Sequence, residues 1–320
     1  MSKSDDIKQY LKLLETIKNS RKEGSKKMGI PITKGKVETA KKVVQYGPEG
    51  IGKSTLASCY PDPVFIDTEG STKELDVARY PSPVVFNDII TYVNDFIENM
   101  PGKTLVIDTA DWAEMLAIAA VCADQGVKGI ESIGYGKGYV YLAEKFGELL
   151  KRCDILIEQG VNVVFTAHAQ MRKFEQPDEM GAYDRWEMKL SKKVAPLLKE
   201  WADIVLFCNY KTDIITDNKT QSKKATGGKR VMYASHHPCW DAKNRYGLPD
   251  VMPMEFNQIK HLFEGIEQKP KEPDYRSMLR NFMKDMKPDQ KQEIVNKYGI
   301  NANTNNEQYK AIFNELTGGI

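Results

Sequence analysis

Eight consecutive residues, Gly47-Pro48-Glu49-Gly50-Ile51-Gly52-Lys53-Ser54, match the spacing GxxxxGK[ST] at every fixed position. The chemistry this suits is phosphate binding. Glycines allow a tight loop whose N–H groups point at phosphate oxygens, and a helix starting there adds partial positive charge. Lys53 is the side chain to reach β- and γ-phosphates, and the Ser54 hydroxyl is the ligand for Mg²⁺. An apolar run precedes the motif and a helix-capable run, 55–59, follows it, with Thr55 completing the cradle.

Two further stretches end apolar runs on acids. TLVID ends on Asp108, expected to hold the metal with Ser54. FIDTEG contributes Asp67 and Glu69. If its strand neighbours the strand that feeds the phosphate loop, Glu69 sits near the γ-phosphate. A carboxylate there orients and polarises an attacking water. The alternative is a helix cap or a solvated turn.

These residues need a scaffold, and the chain offers one. The runs VVQYG, PVFID, PVVF, TLVID, VNVVFTAH and ADIVLFC alternate with helix candidates at 89–99, 111–123, 138–159 and 191–201. Continuous apolar strands separated by helices imply an α/β fold, with a mainly parallel sheet covered on both faces. RVMYAS is a further strand after a polar, glycine-containing loop at 217–229. Ile7, Leu11, Leu14 and Ile17 recur at helical spacing near the start, before a basic, glycine-rich linker. The expected organisation is an N-terminal helix and linker (1–41), an ATPase-type core (42–266), a Pro- and charge-rich joint (267–274) and a helical tail (275–320). In the tail, Met278, Leu279, Phe282 and Met283, then Tyr309, Ile312, Phe313 and Leu316, carry the helical period.

Composition bounds the rest. The 320 residues hold 46 Lys+Arg against 44 Asp+Glu, so overall charge neither favours nor excludes nucleic acid. The segment 1–46 is different, with twelve basic and five acidic residues, a net of +7 (12 − 5). That suits a solvated arm or a nucleic-acid or filament contact. The five cysteines, at 59, 122, 153, 208 and 239, form no CxxC pair and suit reduced thiols of a cytoplasmic protein rather than a zinc site. No run approaches the ~18 apolar residues of a membrane span, and the first residues lack the apolar stretch of a signal peptide.

The order of these elements resembles the RecA/RadA recombinase superfamily more than simple P-loop kinases. FIDTEG resembles that family's strand-end motif for the catalytic glutamate, so Glu69 inherits that role. Ile107-Asp108-Thr109 resembles its Walker B. Val163 to His168, VVFTAH, fills the place of a strand ending in a γ-phosphate sensor, with His168 where Gln is usual and Gln170 as a second candidate. Asp241-Ala242-Lys243-Asn244-Arg245 resembles a segment whose basic pair reaches the ATP of the neighbouring subunit, a role that falls to Lys243 and Arg245. The resemblance covers 42–256, roughly two-thirds of the chain. It is closest to compact, core-only RecA-like ATPases of bacteriophages, associated with single-strand annealing.

That resemblance implies a RecA-like P-loop core that uses ATP and Mg²⁺, assembles as a ring or filament, and binds single-stranded DNA in the host cytoplasm. A single-strand-binding protein is a reasonable partner. In the family two loops contact the strand. Here 126–141 fits the first, with Lys128, Tyr135, Lys137 and Tyr139. The second fits 171–188, with Arg172, Lys173, Phe174, Tyr183, Arg185 and Trp186 among several acids. The other readings are a DnaB-like helicase or loader, a nucleotide-gated scaffold and a small-molecule P-loop kinase.

Overall fold

The computed structural model describes residues 34–35, 37–175, 181–216, 223–266, 268, 275–284, 286–301 and 304–317. The chain divides into two units, Met1–Glu38 and Thr39–Ile320, and the elements below belong to the second. The expected N-terminal helix and nearly all of the 267–274 joint lie outside the described residues.

The central apolar runs become strands because their successive side chains enter two different cores. In β1 (Lys42–Gly47), Val44 and Tyr46 face one core and Val43 the other. The same division holds for β2 (Pro63–Asp67), where Val64 and Ile66 oppose Phe65, and for β4 (Thr104–Asp108), where Leu105 and Ile107 oppose Val106. A short β3 (Ala78–Arg79) precedes β4 in the chain, and β5 (Asn162–Glu175) follows it. Next come β6 (Ala182–Met188), β7 (Ile204–Thr216), β8 (Lys223–Tyr233), β9 (Lys243–Asn244) and β10 (Val251–Pro253).

The sheet order is β10-β8-β7-β1-β5-β4-β2-β3, with β6 paired to β5 and β9 to β7. Strands β1, β2, β3, β4, β5 and β7 run parallel. β6, β8 and β9 pair antiparallel with their neighbours, as does β10 with β8.

Helices α2 (Phe86–Asn99), α3 (Ala110–Asp124), α4 (Lys137–Glu158) and α5 (Val194–Trp201) cover the first face through Ile89, Phe96, Ala117, Phe146 and Leu198. The second face packs against α1 (Lys53–Ala57) and against Leu248, Met252, Ile259 and Phe263. The tail forms α6 (Tyr275–Phe282), α7 (Pro288–Tyr298) and α8 (Asn306–Thr317) around a small core of Leu279, Tyr309 and Ile312. The core is an α/β fold with a mainly parallel sheet between helices, and the phosphate loop leaves the C-terminal end of β1.

Three local expectations change. PVVF is not a strand: Phe86 opens α2, and the Asp88 carboxylate accepts the N–H groups of Val84 and Val85 at 2.8 and 3.0 Å. Those valines are 80% and 53% exposed, whereas a central strand would bury them. Most of the polar 217–229 stretch is not loop either, because β8 starts at Lys223 and ladders antiparallel along β7. The second candidate loop, 171–188, is likewise largely hairpin, formed by the ends of β5 and β6.

Candidate active site at the C-terminal edge of the sheet

The parallel strands finish along one edge, where open α/β sheets bind ligands. Gly47 and His168 are cross-strand partners there, and so are Asp67 and Asp108. The phosphate loop leaves β1 at Gly47. A Cβ on Gly47 would lie 2.2 Å from the Cys208 carbonyl oxygen, so only glycine lets β7 approach. Gly50 and Gly52 take φ of 72° and 103°, the left-handed region that bends the loop back. The Gln45 amide donates to the Lys53 carbonyl at 2.7 Å and ties the helix start to the strand. Pro48 and Ser54 are partly covered, while Glu49, Gly50 and Thr55 are exposed and Ile51 is buried.

Lys53 is 6% exposed and donates to the carbonyls of Gly47 and Pro48 at 3.2 and 3.1 Å. Burial pulls its ammonium below the usual lysine value, against the pull of Asp108, Asp111 and Glu69. A buried cation held by its own loop, with acids nearby but none bonded to it, suits an anion.

Asp108 is fully buried. Burial pushes its carboxyl up, while hydroxyl bonds from Thr166 and Ser54 oppose this. Ser54, at the start of α1, is near enough to Asp108 to influence its carboxyl, and a hydroxyl and a carboxylate close together where the phosphate loop becomes a helix suit Mg²⁺. Among the described residues no cluster of three or more His, Cys, Asp or Glu forms a metal cage. Mg²⁺ held here would therefore take its remaining ligands from phosphate oxygens and water.

The FIDTEG strand does not neighbour the phosphate-loop strand. β5 and β4 stand between β1 and β2. Glu69 reaches the site instead through the turn after β2, and Asp67 builds that turn. Asp67 Oδ1 accepts the N–H groups of Glu69, Gly70 and Ser71 at 3.2, 2.7 and 3.2 Å. Oδ2 accepts the Thr72 N–H at 2.9 Å and its hydroxyl at 2.6 Å. Burial pushes the Asp67 carboxyl up, but these donors outweigh it and hold it below the ordinary range. Thr68 adds a clasp to the next strand end: its hydroxyl accepts from Thr109 N–H at 2.7 Å and its N–H donates to the Asp108 carbonyl at 2.8 Å.

Glu69 Oε2 then lies 3.9 Å from His168 Nε2. Burial raises its carboxyl above the usual value, His168 and Lys53 pull it down, and Asp111 and Asp108 push it up. His168 is held from behind by Asp111 on α3, which nothing in the sequence marked out. Arg230 was also missed, having passed as one residue of a strand. Its Nη1 lies 3.0 Å from where a Cβ on Gly52 would sit, and among the described residues no acid pairs with it. It borders a cleft of about 620 Å³ with Gly52, Thr55, Cys59, Phe256 and Lys260.

Other candidates lie elsewhere. Lys243 and Arg245 sit beside the start of β7, the end of the sheet away from Gly47. The Lys243 ammonium donates to the carbonyls of Lys199, Glu200 and Ala202 at 3.1, 2.9 and 2.5 Å, and Arg245 pairs with Asp203 at 2.8 Å. Gln170 donates to the Met188 carbonyl at 3.3 Å. Lys128, Tyr135, Lys137 and Lys173 are exposed, Tyr135 completely. Tyr139 donates to Glu131. Arg172 bonds the Leu190 carbonyl at 3.5 Å, and Phe174 meets Tyr183 edge-on. Arg185 is 8% exposed, pairs with Asp241 and lies over the Phe174 ring, while Trp186 packs on Phe207.

Compared with known protein families, residues 39–246 match the AAA domain. The chain belongs to the AAA domain family. It is a nucleotide-binding P-loop ATPase, and its matched segment runs from just before β1 to just past β9. No curated protein matches the chain. Among solved structures, a KaiC-like protein of Pyrococcus horikoshii OT3 is similar at 15% identity over 60% of this chain and 84% of that one, with a TM-score of 0.31. The flagellar accessory protein FlaH of Methanocaldococcus jannaschii is similar at 10% identity over 62% and 78%, with a TM-score of 0.29. Neither likeness bears on function at this level of similarity. No helix among the described residues is long and apolar enough to cross a membrane.

Proposed function

We propose that this AAA-domain protein hydrolyses ATP at the C-terminal edge of its sheet and couples turnover to single-stranded DNA held by a homo-oligomer. The observation that carries the hydrolysis is the convergence of Lys53, Ser54, Asp108, Glu69 and His168 on one edge. The loop N–H groups and Lys53 hold the phosphates, and the nucleoside end lies in the cleft beside Arg230. Ser54 and Asp108 hold Mg²⁺, which supplies neutralisation of phosphate charge. Glu69 orients and deprotonates the attacking water, and His168, whose Nε2 faces Glu69, senses the γ-phosphate through that carboxylate and its water. Of the basic pair, exposed Arg245 is the one that acts on a neighbouring subunit's nucleotide in a ring or filament, since Lys243 spends its three donors on carbonyls of its own chain.

The DNA part rests on the exposed Lys128, Tyr135, Lys137 and Lys173, which leave phosphate and stacking groups open. Annealing or strand pairing of the phage type is the activity that fits the family resemblance.

The test is ATP hydrolysis with and without poly-dT at low salt, wild type beside Lys53→Ala and Glu69→Gln. Stimulation by DNA that disappears in both variants supports the proposal. Turnover indifferent to DNA, with no DNA retained in ATP or a slow analogue, removes the DNA half and favours a kinase or scaffold.

A further inference from the structure

Asp111 is the second residue of α3, three residues after Asp108 ends β4, and both its oxygens go to one residue. Oδ1 accepts the backbone N–H of His168 at 3.0 Å, and Oδ2 lies 2.9 Å from His168 Nδ1. Asp111 is 7% exposed. Burial pushes its carboxyl up, but the bonds and charge of His168 hold it below the ordinary range. It is therefore ionised at neutral pH. A carboxylate only accepts, so Nδ1 must carry the hydrogen. The backbone bond fixes where the ring is rooted, and the ring bond fixes how it is turned. What remains is Nε2, which faces Glu69.

We infer that Asp111 is a positioning residue that locks His168 in its Nδ1–H tautomer and aims Nε2 at Glu69. The idea rests on the hydrolysis reading above. As the water oxygen bonds to phosphorus and the bond to the leaving phosphate oxygen breaks, the water proton passes to Glu69. Nε2 is then a second acceptor for that proton, and Asp111 balances the imidazolium charge. With the opposite tautomer Nε2 would carry a hydrogen already and could only donate. The other charged groups around Glu69 are Asp108 on β4 and Lys53 on α1, and neither touches the imidazole. The 3.9 Å gap from Nε2 to Glu69 is the looser spacing usual before substrate closes a site.

The test has two arms. ¹⁵N NMR of the His168 ring in the folded wild type should show Nδ1 protonated and a lone pair on Nε2 at alkaline pH. In steady-state kinetics Asp111→Ala should lower kcat about a hundredfold, the lower end of what a positioned proton partner contributes, with ATP affinity unchanged. His168→Ala should cost the same, and the double variant no more than either. Should Asp111→Ala fail to fold, the wild-type tautomer still decides. An Nε2–H tautomer in wild type, an unchanged kcat in Asp111→Ala, or costs that add in the double variant would each overturn the inference. A wild type with no turnover would instead sink the hydrolysis reading, with the NMR arm still deciding the role of Asp111.

Discussion

Removing the Asp67 carboxylate tests whether the turn that carries Glu69 is built by one side chain. Asp67 receives five hydrogen bonds, three on Oδ1 and two on Oδ2. Bonds to a charged acceptor contribute about 1.5–3 kcal/mol each when lost singly. These five share one carboxylate, and water reaches parts of the turn once it is gone, so they do not add. Asp67→Ala should therefore cost about 3 kcal/mol. Asn retains an oxygen for the Glu69, Gly70 and Ser71 donors but sets an NH₂ against the two Thr72 donors, so it should cost about half as much. The pH dependence has a definite sign. The folded carboxyl sits below its unfolded value of about 3.9, so its stabilisation is present above that pH and is lost as pH falls through the folded value. The acid limb of wild-type stability should be steeper than that of Asp67→Ala. Urea unfolding at pH 7 and at stepwise lower pH reads both. A loss below about 0.5 kcal/mol for Ala, the range of ordinary surface substitutions, or a larger loss for Asn than for Ala, would refute this reasoning.

Gly47→Ala should destabilise by at least the ~1–3 kcal/mol of an overpacked core, because its Cβ would meet a backbone oxygen 2.2 Å away. Gly50→Ala meets nothing within 4 Å and should cost only the ~1–2 kcal/mol of a left-handed φ; equal losses in urea unfolding would contradict the close-approach argument. Lys243→Met strips donors from three carbonyls at the end of α5 and should lower stability by about 1–3 kcal/mol. Arg230→Ala should weaken ATP binding about tenfold by calorimetry, the loss of one charge-assisted bond; an unchanged affinity would remove Arg230 from the nucleotide site.

The phosphate loop was legible because its chemistry is local: glycine torsions, a lysine and a hydroxyl within eight residues need no distant partner. Asp108 was legible as an acid closing a buried strand, and the central strands were legible because both their faces are buried. PVVF misled because its β-branched composition matches a strand, while one acid three residues beyond Val85 caps a helix. The paired ends of β5 and β6, and of β7 and β8, were opaque because the partner strand of a ladder is not written in a strand's own residues.

The sequence by itself determined that a phosphate loop, an acid closing a buried strand and a parallel sheet covered on both faces belong to one chain, since each is written in spacing and burial period. Only the tertiary structure showed what Asp67 does. Asp67 and Glu69 look alike in sequence, yet one folds the turn and the other enters the site. Asp111 and Arg230 carry no local signature, because their partners lie at a sequence distance, His168 57 residues from Asp111 and the Gly52 loop far upstream of Arg230. The strand order is the physical reason: β5 inserts between β1 and β4 and brings together side chains that the chain itself keeps apart.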